Sequence, residues 1–262
     1  MIRSVGLVVS LLLLSCGSDK KVVPHVDTND QSEVIFQEDF NAASLDMTKW
    51  SYALGDGCPE LCGWGNQELQ RYTDSNHQLV DGNLIIIARP EASGYTSTRI
   101  LTKDKFDFTY GRVEARARVE QVMGSWPAIW TLGANIDEVG WPACGEIDIL
   151  EHVGRRPDEV FTSLHTSSSH GDTENSVITR MPDLYDGFHI YGMTWTEDAI
   201  AFDIDGQEVY RYAPEVKTPE NWPYNKPQYL LINLAIGGKF GGPVQADQYP
   251  TSFVVDYVRV TK

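Results

Sequence analysis

From residue 33 onward the chain repeats one pattern: short runs of aliphatic, β-branched and aromatic residues, each closed by Gly, Pro, Asn or Asp, with almost nothing of helical period. The cleanest run is GRVEARARV at 111–119. Gly111, Val113, Ala115, Ala117 and Val119 fall on one face of a strand, and Arg112, Glu114, Arg116 and Arg118 on the other. Alternation of this kind buries one face and leaves the other wet or facing a groove. Further runs fit at 33–40, 83–90, 98–103, 128–134, 146–153, 160–167, 188–196, 200–206, 207–213, 228–238 and 252–260. Many short strands with regular turns predict an all-β, two-sheet antiparallel sandwich. The only helical piece expected is a short turn around Pro219–Asn225. The charges on the outer face of 111–119 are expected to form a cross-strand salt-bridge ladder.

A chain of 262 residues with 42% hydrophobic content can bury one large core, so a single β-domain is expected. Asp and Glu number 37 against 21 Lys and Arg, a formal net charge of −16. Such a surface repels phosphate backbones and excludes nucleic acid as a partner, whereas a neutral polysaccharide meets no such penalty. The N-terminus has a separate purpose: Arg3, an apolar stretch from Val5 to Leu14, then Leu13-Leu14-Ser15-Cys16. The stretch is too short to span a bilayer and fits an export signal. Its ending resembles a bacterial lipobox, which implies lipid on Cys16, membrane attachment, and a place in the cell envelope at the outer membrane or cell surface. The alternative is an ordinary cleaved signal with a chance cysteine. Residues 17–32 are polar and read as a tether, so residues 33–262 form the domain, expected to be monomeric.

Export makes a disulfide between Cys58 and Cys62 plausible, closing a tight loop in GCPELCG. Zinc is a poor reading, because no second pair and no nearby His complete four ligands. Cys144 is then the odd thiol and reads as a small buried hydrophobe.

The stretch GEIDILEHVG (145–154) sets three acids in an apolar run. Strict alternation puts Glu146 and Asp148 on one face and Glu151 on the other. A β-bulge around Ile149 and Leu150 would reset the alternation and bring all three together, and bulges are over-represented beside active sites because they re-aim a side chain. Four net steps separate the two Glu Cα atoms by ~13 Å, which inward-leaning side chains can shorten toward the ~5–5.5 Å between the carboxyl groups of retaining glycosidases. Crowded acids push one another's pKa values apart and titrate as a coupled set. Three nearby tryptophans, Trp126, Trp130 and Trp141, argue against an acid strand that merely faces solvent. His152 is expected to point away from the acids.

The stretch GSWPAIWTLG (124–133) followed by GWPACGEIDILEHVG (140–154) resembles glycoside hydrolase family 16, in particular its laminarinase-like branch with the form E-x-D-x-x-E. CGWGNQELQRYT (62–73), STRILTKDKFDFTYGRVEAR (97–116), SLH (163–165), LINLAIGG (231–238) and VVDYVRV (254–260) agree, so the resemblance runs from about residue 34 to the end. It implies a concanavalin A-like jelly roll with a concave substrate cleft, and an endo-β-1,3-glucanase that hydrolyses β-glucan with retention and no catalytic cofactor. It implies Glu146 as nucleophile, Asp148 as its assistant and Glu151 as acid/base. It also implies substrate contacts from Asn66, Arg99, Trp126, Trp130, Trp141, His165 and Asn233; tryptophan faces suit sugar rings, and Asn, Arg and His suit hydroxyls. At least one of the three tryptophans is nevertheless expected to be core-packed. A structural Ca²⁺ is implied at Asp39, Gly82 and Asp256, the first two through backbone oxygens. Mixed-linkage glucan, a galactan such as agar or carrageenan, and a non-catalytic glucan-binding module are the competing readings.

Overall fold

The computed structural model describes residues 32–262; the signal, the lipobox Cys16 and the tether before Ser32 lie outside the described residues. Numbered along the chain, the strands are β1 (Val34–Glu38), β2 (Ser51–Tyr52), β3 (Gln70–Tyr72), β4 (His77–Val80), β5 (Asn83–Glu91), β6 (Gly94–Ser97), β7 (Arg99–Leu101), β8 (Gly111–Arg118) and β9 (Ser125–Gly133). They continue as β10 (Glu146–His152), β11 (Glu159–His165), β12 (Ser176–Arg180), β13 (His189–Trp195), β14 (Ile200–Ile204), β15 (Gln207–Tyr212), β16 (Gln228–Ile236) and β17 (Thr251–Thr261). Every strand expected from the alternation is present. The strands that the sequence did not announce, β2, β3, β4, β6 and β12, are five residues or shorter.

Ten strands form one sheet, in the order β15-β14-β13-β8-β17-β5-β6-β3 with β1 on β17 and β4 on β5; seven form the other, β12-β11-β10-β9-β16-β7-β2. Pairing is antiparallel throughout except between β3 and β6, which run parallel. The two inner faces close on one core. Val113, Ala115 and Ala117 of β8 meet Ile129 of β9, Ile147 and Leu150 of β10, and Leu230, Ile232 and Leu234 of β16, all with almost no exposure. At about 25 cal/mol per Å² of apolar surface, each large aliphatic side chain so buried contributes about 2 kcal/mol against the entropy of ordering the chain.

The outer face of β8 carries the expected ladder. Arg112 bridges Glu114 (2.9 Å) and Asp203 (2.6 Å), and Arg116 bridges Asp256 (2.5 Å). The helical turn expected around Pro219–Asn225 is not helical. Two prolines there leave only turns, and the short helical pieces lie at Cys62–Gly65, Ile136–Val139, Gly238–Gly241 and Ala246–Gln248.

Candidate active site

The acids sit on β10, near the middle of the seven-stranded sheet. Against β9 the register runs Asp148↔Trp130 and then Leu150↔Ile129, so one residue, Ile149, is extra; against β11 it shifts between Asp148 and Glu151. This is the bulge expected from the spacing. With it, Glu146, Asp148 and Glu151 lie opposite Leu132, Trp130 and Ala128, three alternate residues of β9, and opposite His165, Ser163 and Phe161 of β11. All three acids therefore share the face turned away from the core. Leu150 and His152 take the inner face, where the His152 ring contacts the Glu159 carbonyl (2.9 Å) and the Tyr185 hydroxyl (3.3 Å).

The same register assembles the neighbours. Asn233 of β16 lies opposite Ala128 on one side and Arg99 of β7 on the other, so Trp126, Trp130, His165, Asn233 and Arg99 share the outer face with the acids. Trp126 donates its indole N–H to Glu151 (2.9 Å), Trp141 to Glu146 (2.9 Å), and Trp130 to the Asn233 side-chain oxygen (2.8 Å). Trp130, half-buried, packs against the apolar cluster of Leu132, Cys144, Tyr229 and Leu231, the core packing expected of one of the three tryptophans. Trp126 and Trp141 are held at the outer face by their N–H partners, and Trp141 is 46% exposed with its ring against His165 and His170. His165 is tied to the acids: its Nε2 lies 3.1 Å from Asp148 and 3.8 Å from Glu146.

Asn66 arrives from outside the sheet, on a loop that follows the Cys58–Cys62 disulfide. That loop turns through positive φ at Gly63, Trp64, Gly65 and Gln67. Its Trp64 ring packs on the Arg99 guanidinium, 4.4 Å from the ring centre. Trp64 and Glu68, the latter a buried partner of Arg99 (3.5 Å), belong to the site and were not singled out from the sequence. The signal was present in CGWGNQELQRYT, where an acid and aromatics crowd a glycine-rich loop. Cys144 is buried, as expected of a small hydrophobe.

Burial dominates the electrostatics. It pushes Glu146, Asp148 and Glu151 each up to about 8; for both glutamates the nearby Asp148 charge pushes the same way, while His165 and the indole N–H groups pull back. Glu146, Asp148 and His165 place ligating atoms within 4.8 Å of one another. In chemical terms the face offers closely spaced carboxyls whose burial favours sharing protons among them, beside exposed indole: proton donor, nucleophile and a surface for sugar rings.

The residues expected to hold calcium lie on or beside strands that pair along β17. β1 and β5 lie end to end along the same edge of β17, Glu38 opposite Val258 and Leu84 opposite Val255. Asp39 and Gly82 thus both reach the junction at Tyr257, beside Asp256. Asp256 is itself the extra residue of a bulge in β17, between Val255↔Ala117 and Tyr257↔Arg116. Its carboxylate already accepts from Arg116 (2.5 Å), and its remaining lone pairs with two backbone oxygens are the hard donors that calcium takes.

Comparison with known proteins agrees with this geometry. A β-glucanase of Rhodothermus marinus is 38% identical over 99% of this chain and 94% of its own. Glucan endo-1,3-beta-glucosidase A1 of Niallia circulans is 34% identical over 91% of this chain and 41% of its own. The crystal structure of laminarinase from Flavobacterium sp. UMI-01 superimposes with a TM-score of 0.86 at 50% identity, covering 88% of this chain and all of that one. Residues 26–259 match the family model described as Glycosyl hydrolases family 16, and the chain belongs to that family.

Proposed function

We propose that this glycoside hydrolase is a retaining endo-β-1,3-glucanase. The observation that carries the reading is the bulged strand, which turns Glu146, Asp148 and Glu151 to one face with an indole N–H on each flanking glutamate. Glu146, ionised, attacks the anomeric carbon while Glu151 gives its proton to the departing glycosidic oxygen; Glu151, now ionised, then takes a proton from the water that hydrolyses the glycosyl ester. Asp148, between them and with its Oδ2 3.1 Å from His165 Nε2, holds a proton for Glu146 and relieves charge repulsion as Glu146 ionises. The named relatives favour β-1,3-glucan as substrate, and the exposed Trp141 face with Arg99, Asn66 and Asn233 suits a neutral sugar chain.

Reducing-sugar release by the purified domain on laminarin, barley mixed-linkage glucan, lichenan, agarose and carrageenan tests the substrate. Laminarin is expected to be cut best. Preference for mixed-linkage glucan would leave the machinery in place and change the specificity. Glu151→Gln is expected to lower turnover roughly a thousandfold while laminarin still retards the protein in an affinity gel. Unchanged turnover in that variant would remove Glu151 from the mechanism. We further propose a structural Ca²⁺ held by the Asp39 and Gly82 backbone oxygens and the Asp256 carboxylate. A chelator is then expected to lower the melting temperature and added Ca²⁺ to restore it; a midpoint indifferent to both would exclude the ion.

A further inference from the structure

One buried acid outside the proposed chemistry touches residues assigned to sugar binding. Glu68 is 7% exposed and lies between two of the residues assigned to sugar binding. Its Oε1 accepts from the Asn66 side-chain amide (3.4 Å), and its Oε2 lies 3.5 Å from Arg99 Nη2. The same Oε2 accepts from Gln70 Nε2 (2.6 Å) and from the Tyr72 hydroxyl (3.2 Å), which in turn accepts from Arg99. Asn66 belongs to the disulfide loop and Arg99 to β7, so this carboxylate joins two groups that come from separate elements.

Arg99 needs such a partner. It is 8% exposed, and a buried guanidinium without an opposing charge is costly by several kcal/mol. The rings of Trp64 and Tyr72 lie 4.4 and 4.5 Å from the guanidinium carbon, and Trp130 lies 5.6 Å away. Stacking fixes the plane of the group and leaves its rotation within that plane free. Glu68, together with the Tyr72 hydroxyl that it holds, sets the rotation by drawing Nη2 inward. Arg99 Nε is buried with no hydrogen-bond partner among the described residues, so the orientation of the group rests on its Nη2 contacts and its ring neighbours. The network extends to the sheet, because Gln70 Oε1 accepts from the backbone N–H of Ile236 on β16, the strand that carries Asn233.

We infer that Glu68 is a positioning residue: it holds Asn66 and Arg99 at the angle at which they grip the sugar and cancels the Arg99 charge, so that the pair presents donors to a neutral hydroxyl without a net charge. The inference rests on the proposed glucanase reading. Glu68→Gln keeps the shape of the side chain and removes the charge. Its KM for laminarin is expected to rise roughly tenfold, with kcat within about twofold and the pH profile unmoved. A residue that served folding alone would lower kcat with the folded fraction and leave KM in place, which would overturn the inference. In an Arg99→Lys background, Glu68→Gln is expected to change KM by less than about twofold, because the contact through which it acts is already altered. The full tenfold effect in that background would also overturn it. Should Glu68→Gln not fold, Glu68→Asp carries the same cycle, since it keeps the charge and withdraws it by one methylene. A wild type that cuts laminarin while Glu68→Gln matches its KM sinks this inference alone; a wild type that leaves laminarin intact sinks the glucanase reading beneath it.

Discussion

Trp126 and Trp141 each give an indole N–H to one end of the acid row, and a donor to a carboxylate favours its ionised form. Removing the donor therefore raises the pKa of that carboxyl. With Glu151 as acid and Glu146 as nucleophile, the two substitutions act on opposite limbs of the pH–rate profile. Trp126→Phe is expected to move the alkaline limb to higher pH, since Glu151 keeps its proton longer. Trp141→Phe is expected to move the acid limb to higher pH, since Glu146 ionises later. Profiles of kcat/KM for both variants check this; limbs that shift together, or the wrong limb for either variant, would reverse or remove the assigned roles. The same two bonds explain why Trp126 and Trp141 stay at the outer face, whereas Trp130, whose indole N–H goes to Asn233, packs half-buried against an apolar cluster. Hydrophobicity alone argues for burial, but a polar N–H with an acid in reach holds the ring at the surface. Residue type made these side chains candidates; only their partners showed which end of the acid row each one serves.

At the scale of the strand, the active face depends on one surplus residue. Ile149 lets Leu150 and His152 take the inner face while Glu151 returns to the outer one. Ile149→Val removes one buried methylene and is expected to cost about 1 kcal/mol of unfolding free energy without moving the pH profile. Deleting Ile149 leaves E-x-D-x-E, in which strict alternation without a bulge keeps Glu151 on the outer face with Glu146 and Asp148, so the variant is expected to keep measurable turnover at a lower denaturant midpoint. A deletion variant that folds yet cuts nothing would mean that the surplus residue does more than return Glu151 to the outer face. This bulge was legible because E-x-D-x-x-E breaks a two-residue period. The bulge at Asp256 was not, since VVDYVRV reads as plain alternation and only the shifted register with β8 reveals it. Strands β3, β6 and β12 were missed because strands of three to five residues carry little pattern. β4 was missed in spite of a usable signal: Asp81-Gly82, both at positive φ, make the tight turn that joins it to β5.

For the molecule as a whole, burying three acids together links stability to pH. Their pKa values in the folded state lie near 8, well above those of carboxyls in the unfolded chain. Between those limits the native state holds protons that the unfolded state has released, so stability is greatest below the unfolded values and falls as pH rises toward about 8. The melting temperature is expected to decline from pH 5 to pH 8, and a Glu146→Gln, Asp148→Asn, Glu151→Gln variant to decline less steeply. Parallel slopes for the two proteins would show that the acids cost the fold nothing. Strand content, the inner and outer faces of β8, the bulge and the acid trio were all determined by the sequence itself, because alternation and its interruption are local properties of a strand. The alignment of Arg99, Asn233, Trp126, Trp130, the acids and His165 on one face came only with tertiary structure, because cross-strand register depends on pairing between segments as far apart in sequence as Arg99 and Asn233. The placement of Asp39, Gly82 and Asp256 along β17, and the hold of Glu68 on Asn66 and Arg99, have the same origin: each joins elements whose proximity no local pattern encodes.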